Sequence, residues 1–199
     1  MAAQRIGLLG GTFDPPHAGH LAAARASRDE LRLDRLLLVV ADVPWQKVPG
    51  REVTPAEDRF AMVEAAVEGM DRVEASRLEI DRGGPSYTVE TVEEVLAAPA
   101  DRPPELFLVI GADLVESLPT WKRWRDLRRL VTLAVVARPP MPPPPDPEGW
   151  RVVHVDGEAV DVSSSELRRL LHRGAPVDGL VPDAVVRCIR GRGLYAVGR

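Results

Sequence analysis

The stretch Ile6-Gly7-Leu8-Leu9-Gly10-Gly11-Thr12-Phe13-Asp14-Pro15-Pro16-His17-Ala18-Gly19-His20 decides the fold. The apolar run from Ile6 to Leu9 predicts a strand. Gly10 and Gly11 predict a turn, and an Ala-rich helical stretch runs from near Leu21 to Leu31. Strand, glycine turn and helix start together suit phosphate. Glycines let the backbone approach an anion closely, and the first helical turn points unpaired N–H groups at it. His17 and His20 bring imidazole donors to the same place. The stretch therefore reads as the holder of a nucleoside triphosphate. It is neither G-x-G-x-x-G nor a P-loop, because Gly7, Gly10 and Gly11 have the wrong spacing and no Lys-Ser/Thr follows. Metal binding by His17, His20 and Asp14 is the alternative, with His154 and His172 as the other histidines of the chain.

Outward from this stretch, short runs rich in Val, Leu and Ile alternate with helical patterns. Strands are expected at Ile6–Leu9, Leu36–Val40, Val73–Ile80, Leu106–Ile110, Leu133–Ala137 and Val152–Val155. Continuous apolar runs are what a sheet covered on both faces requires. Thr54-Pro55-Ala56-Glu57 reads as a helix start, with Thr54 and Glu57 as a capping box and Pro55 at the first helical position. Phe60, Val63 and Val67 follow at helical spacing and Gly69 ends the helix. Further helices are expected at Thr88–Ala97, Arg125–Leu130, Ser163–His172 and Val181–Arg190, before a short tail, Gly193-Leu194-Tyr195. The βαβα order predicts an α/β fold: a doubly wound parallel sheet of five to six strands, helices on both faces, and right-handed crossovers. Ligands of such sheets bind beyond the carboxyl ends of the strands, which is where Gly10 to His20 lies. Pro139 to Pro147 is nearly all proline and reads as a stiff spacer loop, or as a ligand for a proline-reading domain.

Composition narrows the class. At 199 residues with 45% apolar content, the chain is expected to form a single domain, 1–199, with the helical portion from about residue 160 completing the site. The net charge of -4 argues against nucleic acid as a partner. No run approaches the ~20 apolar residues of a membrane span, and no signal peptide is evident. The lone Cys188 reads as structural. A cytoplasmic protein is expected, and a homo-oligomer stays open.

Gly11-Thr12-Phe13-Asp14-Pro15-Pro16-His17-Ala18-Gly19-His20 resembles the signature of the nucleotidylyltransferase superfamily of (T/H)-x-G-H enzymes. The resemblance implies a Rossmann-like fold and transfer of a nucleoside monophosphate from a triphosphate with release of pyrophosphate. It further implies that Gly10, Gly11, Thr12 and Phe13 line the triphosphate through backbone and side chain, and that His17 and His20 contact its phosphates. Val162-Ser163-Ser164-Ser165-Glu166-Leu167-Arg168 is a capped helix start on local grounds, with Ser163 and Glu166 as capping box. It is also similar to the I-S-S-T-x-I-R motif of the superfamily, which assigns Ser163, Ser164 and Arg168 to ATP. Gly111 and Asp113, at the end of a strand, suit ribose hydroxyls, with Asp113 as a helix cap the alternative.

Two further segments, Gly84-Pro85-Ser86-Tyr87-Thr88 and Pro119-Thr120-Trp121-Lys122, look like motifs of the bacterial nicotinate-nucleotide adenylyltransferases. That likeness places Thr88, Trp121 and Lys122 around nicotinate mononucleotide. A helix cap at Thr88 and a core-packed indole at Trp121 are the local alternatives. An indole offers a stacking face for a pyridine ring. In Pro44-Trp45-Gln46-Lys47, where many members read Pro-Pro-His-Lys, Lys47 takes the place of a phosphate-contacting lysine, and Trp45 is either a lid or an anchor. Arg138 adds charge at the same edge. The implied catalytic set is His17, His20 and Lys47. The implied ligands are ATP, with Mg²⁺ carried on it rather than held in a protein metal site, and nicotinate mononucleotide. Enzymes acting on nicotinamide mononucleotide or phosphopantetheine, and a nucleotide sensor on the same fold, remain alternatives.

Overall fold

The computed structural model describes residues 3–44, 53–137, 144–158, 160 and 162–195. Strands β1 (Arg5–Gly11), β2 (Arg35–Val40), β3 (Val73–Ser76), β4 (Glu105–Gly111), β5 (Thr132–Val136) and β6 (Val152–Val155) form one six-stranded sheet in the order β3-β2-β1-β4-β5-β6. Every pairing is parallel. The chain runs outward from β1 to β3, then returns to the other side of β1 with β4. The reversal of order falls between β1 and β4, and their carboxyl ends carry the candidate site.

Alternate residues of each strand feed two cores. Leu9, Leu36, Leu38, Val40, Phe107, Val109, Ala134 and Val136 point to one, and helices α1 (Ala18–Glu30), α2 (Ala56–Val67), α6 (Ser164–His172) and α7 (Asp183–Arg192) cover it. Ile6, Leu8, Leu37, Val39, Leu106, Leu108, Ile110, Leu133 and Val135 point to the other, beneath α4 (Thr88–Ala97), a 3₁₀ helix (Ala112–Thr120) and α5 (Trp124–Leu130). The uninterrupted Val/Leu/Ile runs are thus buried on both faces, as the doubly wound prediction requires. Gly7 serves packing, since a Cβ there would come within 2.5 Å of the Leu33 and Leu36 methyls.

Several boundaries differ from the sequence reading. Gly10 and Gly11 are not a turn but the last two residues of β1, in register with Val39 and Val40. α1 starts at Ala18 rather than near Leu21, because extended His17 takes the cap position and Gly19 and His20, weak helix formers, are carried in the first turn. The strand expected at Val73–Ile80 ends at Ser76, and Leu78–Arg82 forms the short helix α3. Thr54 does not cap α2. Pro55 holds that position without a side-chain bond, and the Thr54 carbonyl turns instead to the Arg59 guanidinium, Nε to O 2.7 Å. α6 starts where expected: Ser163 accepts the Glu166 N–H at 3.2 Å. Glu166 pairs with Arg169 at 3.3 Å rather than reaching back, so the box is half made. Residues 138–143 of the proline loop, including Arg138, lie outside the described residues.

Candidate active site

The site begins where β1 leaves the sheet. Among the described residues a Cβ on Gly10 would meet nothing within 4 Å beyond its chain neighbours, so the end of β1 is uncrowded at the sheet edge. At Gly11 a Cβ would come 2.9 Å from the Phe13 ring. Phe13 has φ 51°, and its ring is only 2% exposed, tucked under Gly11 with its edge toward His20 at 4.9 Å between centroids. The ring thus packs as a buttress beneath the end of β1.

His17 caps α1 and is buried, whereas His20 is partly exposed. The two rings stack, and the His17 backbone N–H donates to His20 Nδ1 at 3.3 Å. Accepting at Nδ1 leaves Nε2 of a neutral His20 ring as the N–H donor. The proximity expected of the two histidines is thus realised in one stack.

The serine-capped helix α6 meets this loop directly. Ser164 Oγ donates to the Pro15 carbonyl at 3.0 Å. Arg168 Nη1 donates to the Asp14 carbonyl at 2.5 Å and Nη2 to Ser165 Oγ at 3.1 Å. α1 is held from the same side, with the Ala18 N–H on the Leu180 carbonyl at 2.9 Å. Gly111 ends β4, beside β1, and starts the 3₁₀ helix, whose first turn presents exposed Asp113. Gly111, not Asp113, is the cap.

Thr88 opens α4 directly after Tyr87, which holds the cap position. The turn before it is clipped to the end of β2. Asp42 N–H donates to Ser86 Oγ at 2.9 Å, Gly84 N–H to the Asp42 carboxylate at 2.9 Å, and Ser86 N–H to the Val43 carbonyl at 3.0 Å. Trp121 follows the 3₁₀ helix, half-buried, its indole N–H on Ser117 Oγ at 3.1 Å. Lys122 does not extend over open space. Its ammonium pairs with Glu90 at 2.7 Å and sits 3.9 Å from the Tyr87 ring centroid. Trp45, Gln46 and Lys47 lie outside the described residues.

Buried Arg59 and Asp14 and half-buried Tyr195 have structural roles that the sequence reading did not give them. Arg59 is 1% exposed and donates to four main-chain carbonyls: Thr12 at 3.0 Å, Ala41 at 2.6 Å, Asp42 at 2.9 Å and Thr54 at 2.7 Å. One guanidinium thereby ties the ends of β1 and β2 to the start of α2. Burial pulls its pKa down, opposed by the charges of Asp14 and Asp42. Asp14, 2% exposed, accepts the Tyr195 hydroxyl at 2.6 Å and has Arg168 Nη1 3.7 Å away. Burial, then the bond to Asp14 and its charge, push the Tyr195 phenol above its ordinary range. Arg59 left a signal, for it lies on the α2 face that carries Met62, Val63 and Ala66 to the core. Among the described residues no three His, Cys, Asp or Glu side chains gather as a metal cage, and no helix is long and apolar enough to cross a membrane.

The cytidylyltransferase-like family model matches residues 8–170. A probable nicotinate-nucleotide adenylyltransferase of Thermus thermophilus is 46% identical over 192 residues, covering 96% of this chain and 99% of that protein. One from Methylibium petroleiphilum is 43% identical over 204 residues, covering 98% and 94%. A solved Plasmodium falciparum nicotinic acid mononucleotide adenylyltransferase complexed with NaAD superposes with a TM-score of 0.74, covering 96% of this chain and 97% of that one. Its 15% identity speaks for the fold alone. The chain is thus a member of the cytidylyltransferase-like family. Within that class the chain belongs to the nicotinate-nucleotide adenylyltransferase family.

Proposed function

We infer that this protein transfers the adenylyl group of ATP to nicotinate mononucleotide, giving nicotinate adenine dinucleotide and pyrophosphate, a step of NAD biosynthesis. The observation that carries the reading is near-full-length identity of 46% to a relative of that name. The stacked His17–His20 pair at the end of β1 supplies the chemistry.

The nucleophile is the 5′-phosphate of the mononucleotide, already an anion at neutral pH. Its oxygen bonds to the α-phosphorus of ATP, the bond to the bridging oxygen breaks, and pyrophosphate leaves. No proton is removed, so no general base is required. The protein's task is positioning and charge stabilisation. In this reading His20 Nε2–H donates to a non-bridging α-phosphate oxygen, with His17 stacked behind it. The Gly10, Gly11, Thr12 and Phe13 backbone and the α6 start at Ser163 and Ser164 flank the triphosphate. Arg168 serves it with whatever of its fork the Asp14 carbonyl leaves, and Gly111 and Asp113 hold the ribose. Lys47 adds positive charge. Mg²⁺ enters as part of the substrate, bound to the triphosphate oxygens, where it offsets the charge that shifts to pyrophosphate. Thr88 and Trp121 form the acceptor side. Lys122 contributes only indirectly there, through α4. A reaction among free nucleotides suits a cytoplasmic protein.

The test is pyrophosphate release from ATP with nicotinate mononucleotide, nicotinamide mononucleotide or phosphopantetheine offered separately. Release with the nicotinate acceptor at the highest kcat/KM is expected. Preference for another acceptor would reassign the substrate, and no release with any of them would leave a nucleotide sensor.

A further inference from the structure

We propose that Tyr195 and Asp14, together with Arg59, are positioning residues that set His17 and His20 in place from beneath, through the loop that joins them. The inference rests on the reading above for what the histidines do. It stands on geometry that the chemistry leaves unused. Asp14 and Arg59 are buried ionic side chains, which is a costly arrangement unless each charge is met. Here the charges hold things that an apolar residue could not. Arg59 gathers carbonyls from Thr12, Ala41, Asp42 and Thr54, and so fixes the exits of β1 and β2 relative to each other. Asp14 is two residues beyond Thr12 and receives the Tyr195 hydroxyl at 2.6 Å.

The link from Asp14 to the histidines is short and stiff. Pro15 and Pro16 alone separate it from His17, and each proline fixes its own φ. His17 then hands its backbone N–H to His20 Nδ1 at 3.3 Å. A shift of the Asp14 side chain therefore moves the donor that orients the His20 ring. The Tyr195 hydroxyl, 3.9 Å from Met62 Sδ as well, is seated between the loop and α2. The hydroxyl is engaged by the Asp14 carboxylate at 2.6 Å. It acts on the reaction only through Asp14.

Tyr195→Phe removes the hydroxyl and keeps the ring. Two readouts test the proposal. The first is independent of activity: the imidazole ¹⁵N resonances of the two histidines in the full-length protein. Tyr195→Phe is expected to shift the His20 Nδ1 and Nε2 signals, and Asp14→Asn, which still accepts the phenol, to shift them less. Unchanged His20 signals in Tyr195→Phe overturn the proposal whether or not the assigned reaction is correct. The second is a double-mutant cycle on kcat. One lost hydrogen bond is expected to lower kcat about five- to ten-fold with the KM for nicotinate mononucleotide unchanged. In a His20→Ala background the same change is expected to cost less than about two-fold, since the group it positions is gone. Equal losses in both backgrounds mark a merely structural residue and overturn the proposal. Wild-type protein that releases no pyrophosphate from ATP and nicotinate mononucleotide counts against the functional reading, and the resonance shifts then decide this proposal alone.

Discussion

The rings of His17 and His20 stack at 3.7 Å between centroids with a 28° tilt, one ring buried and the other at the surface. The His17 backbone N–H occupies His20 Nδ1 at 3.3 Å, so a neutral His20 ring carries its N–H at Nε2. That donor is the group on which the proposed chemistry depends.

His20→Ala is accordingly expected to lower kcat by roughly 30–1000-fold, about 2–4 kcal/mol of transition-state stabilisation, with little change in the KM for ATP. Steady-state pyrophosphate release measures it. A variant with near-normal kcat would remove His20 from the mechanism.

The two glycines that end β1 separate binding from folding. Gly10→Ala places a methyl where no atom of the described residues beyond its chain neighbours lies within 4 Å, so stability is expected to hold or rise by about 0.4–1 kcal/mol, while the KM for ATP rises. Gly11→Ala drives a methyl to within 2.9 Å of the Phe13 ring and is expected to cost about 1–3 kcal/mol in unfolding free energy. Urea denaturation and ATP titration of both variants compare the effects. An unchanged ATP affinity in Gly10→Ala would place the triphosphate elsewhere.

Lys122→Met is expected to leave the KM for nicotinate mononucleotide within about three-fold of wild type, because the ammonium is already held by Glu90 and Tyr87. The exposed pair itself contributes at most about 1 kcal/mol. A ten-fold or greater rise in that KM would return Lys122 to the acceptor site.

Alkaline pH reports on Tyr195. Its phenol is raised above the unfolded value of 10.0 by burial and by Asp14, so the folded chain keeps it neutral where the unfolded chain ionises it. Its contribution to stability is whole below pH 10 and declines as pH climbs beyond, by up to about 1.4 kcal/mol per pH unit. The difference in unfolding free energy between wild type and Tyr195→Phe should stay flat from about pH 7 to 9 and shrink above about pH 10. A difference that is still flat at about pH 11 would mean that the phenol ionises normally in the folded protein.

The strands and the main helices could be read from the sequence because their causes are local. Leu106–Ile110 and Leu133–Val136 are continuous apolar runs that only a doubly covered sheet accommodates. Ser163 carries its cap signal within four residues. What stayed hidden depends on contacts across the chain. Tyr195 and Asp14 are 181 residues apart, and nothing in either neighbourhood announces the other. Thr54 has every local mark of a cap, yet its carbonyl is recruited by Arg59 and the helix begins one residue later than those marks imply. Lys122 is placed beside the acceptor by family likeness, and the sequence does not show that Glu90, one helix away, already faces it.

The bond between Tyr195 and Asp14 also bears on how the protein is made. The hydroxyl that meets Asp14 is synthesised 181 residues after it. A nascent chain can lay down β1 and pair it with β2 and β4 long before that tyrosine exists. Until then the Asp14 carboxylate waits without its phenol, and α6 and α7 have not yet closed over the loop. On the proposal above, a chain interrupted before Tyr195 can already look folded and still be idle.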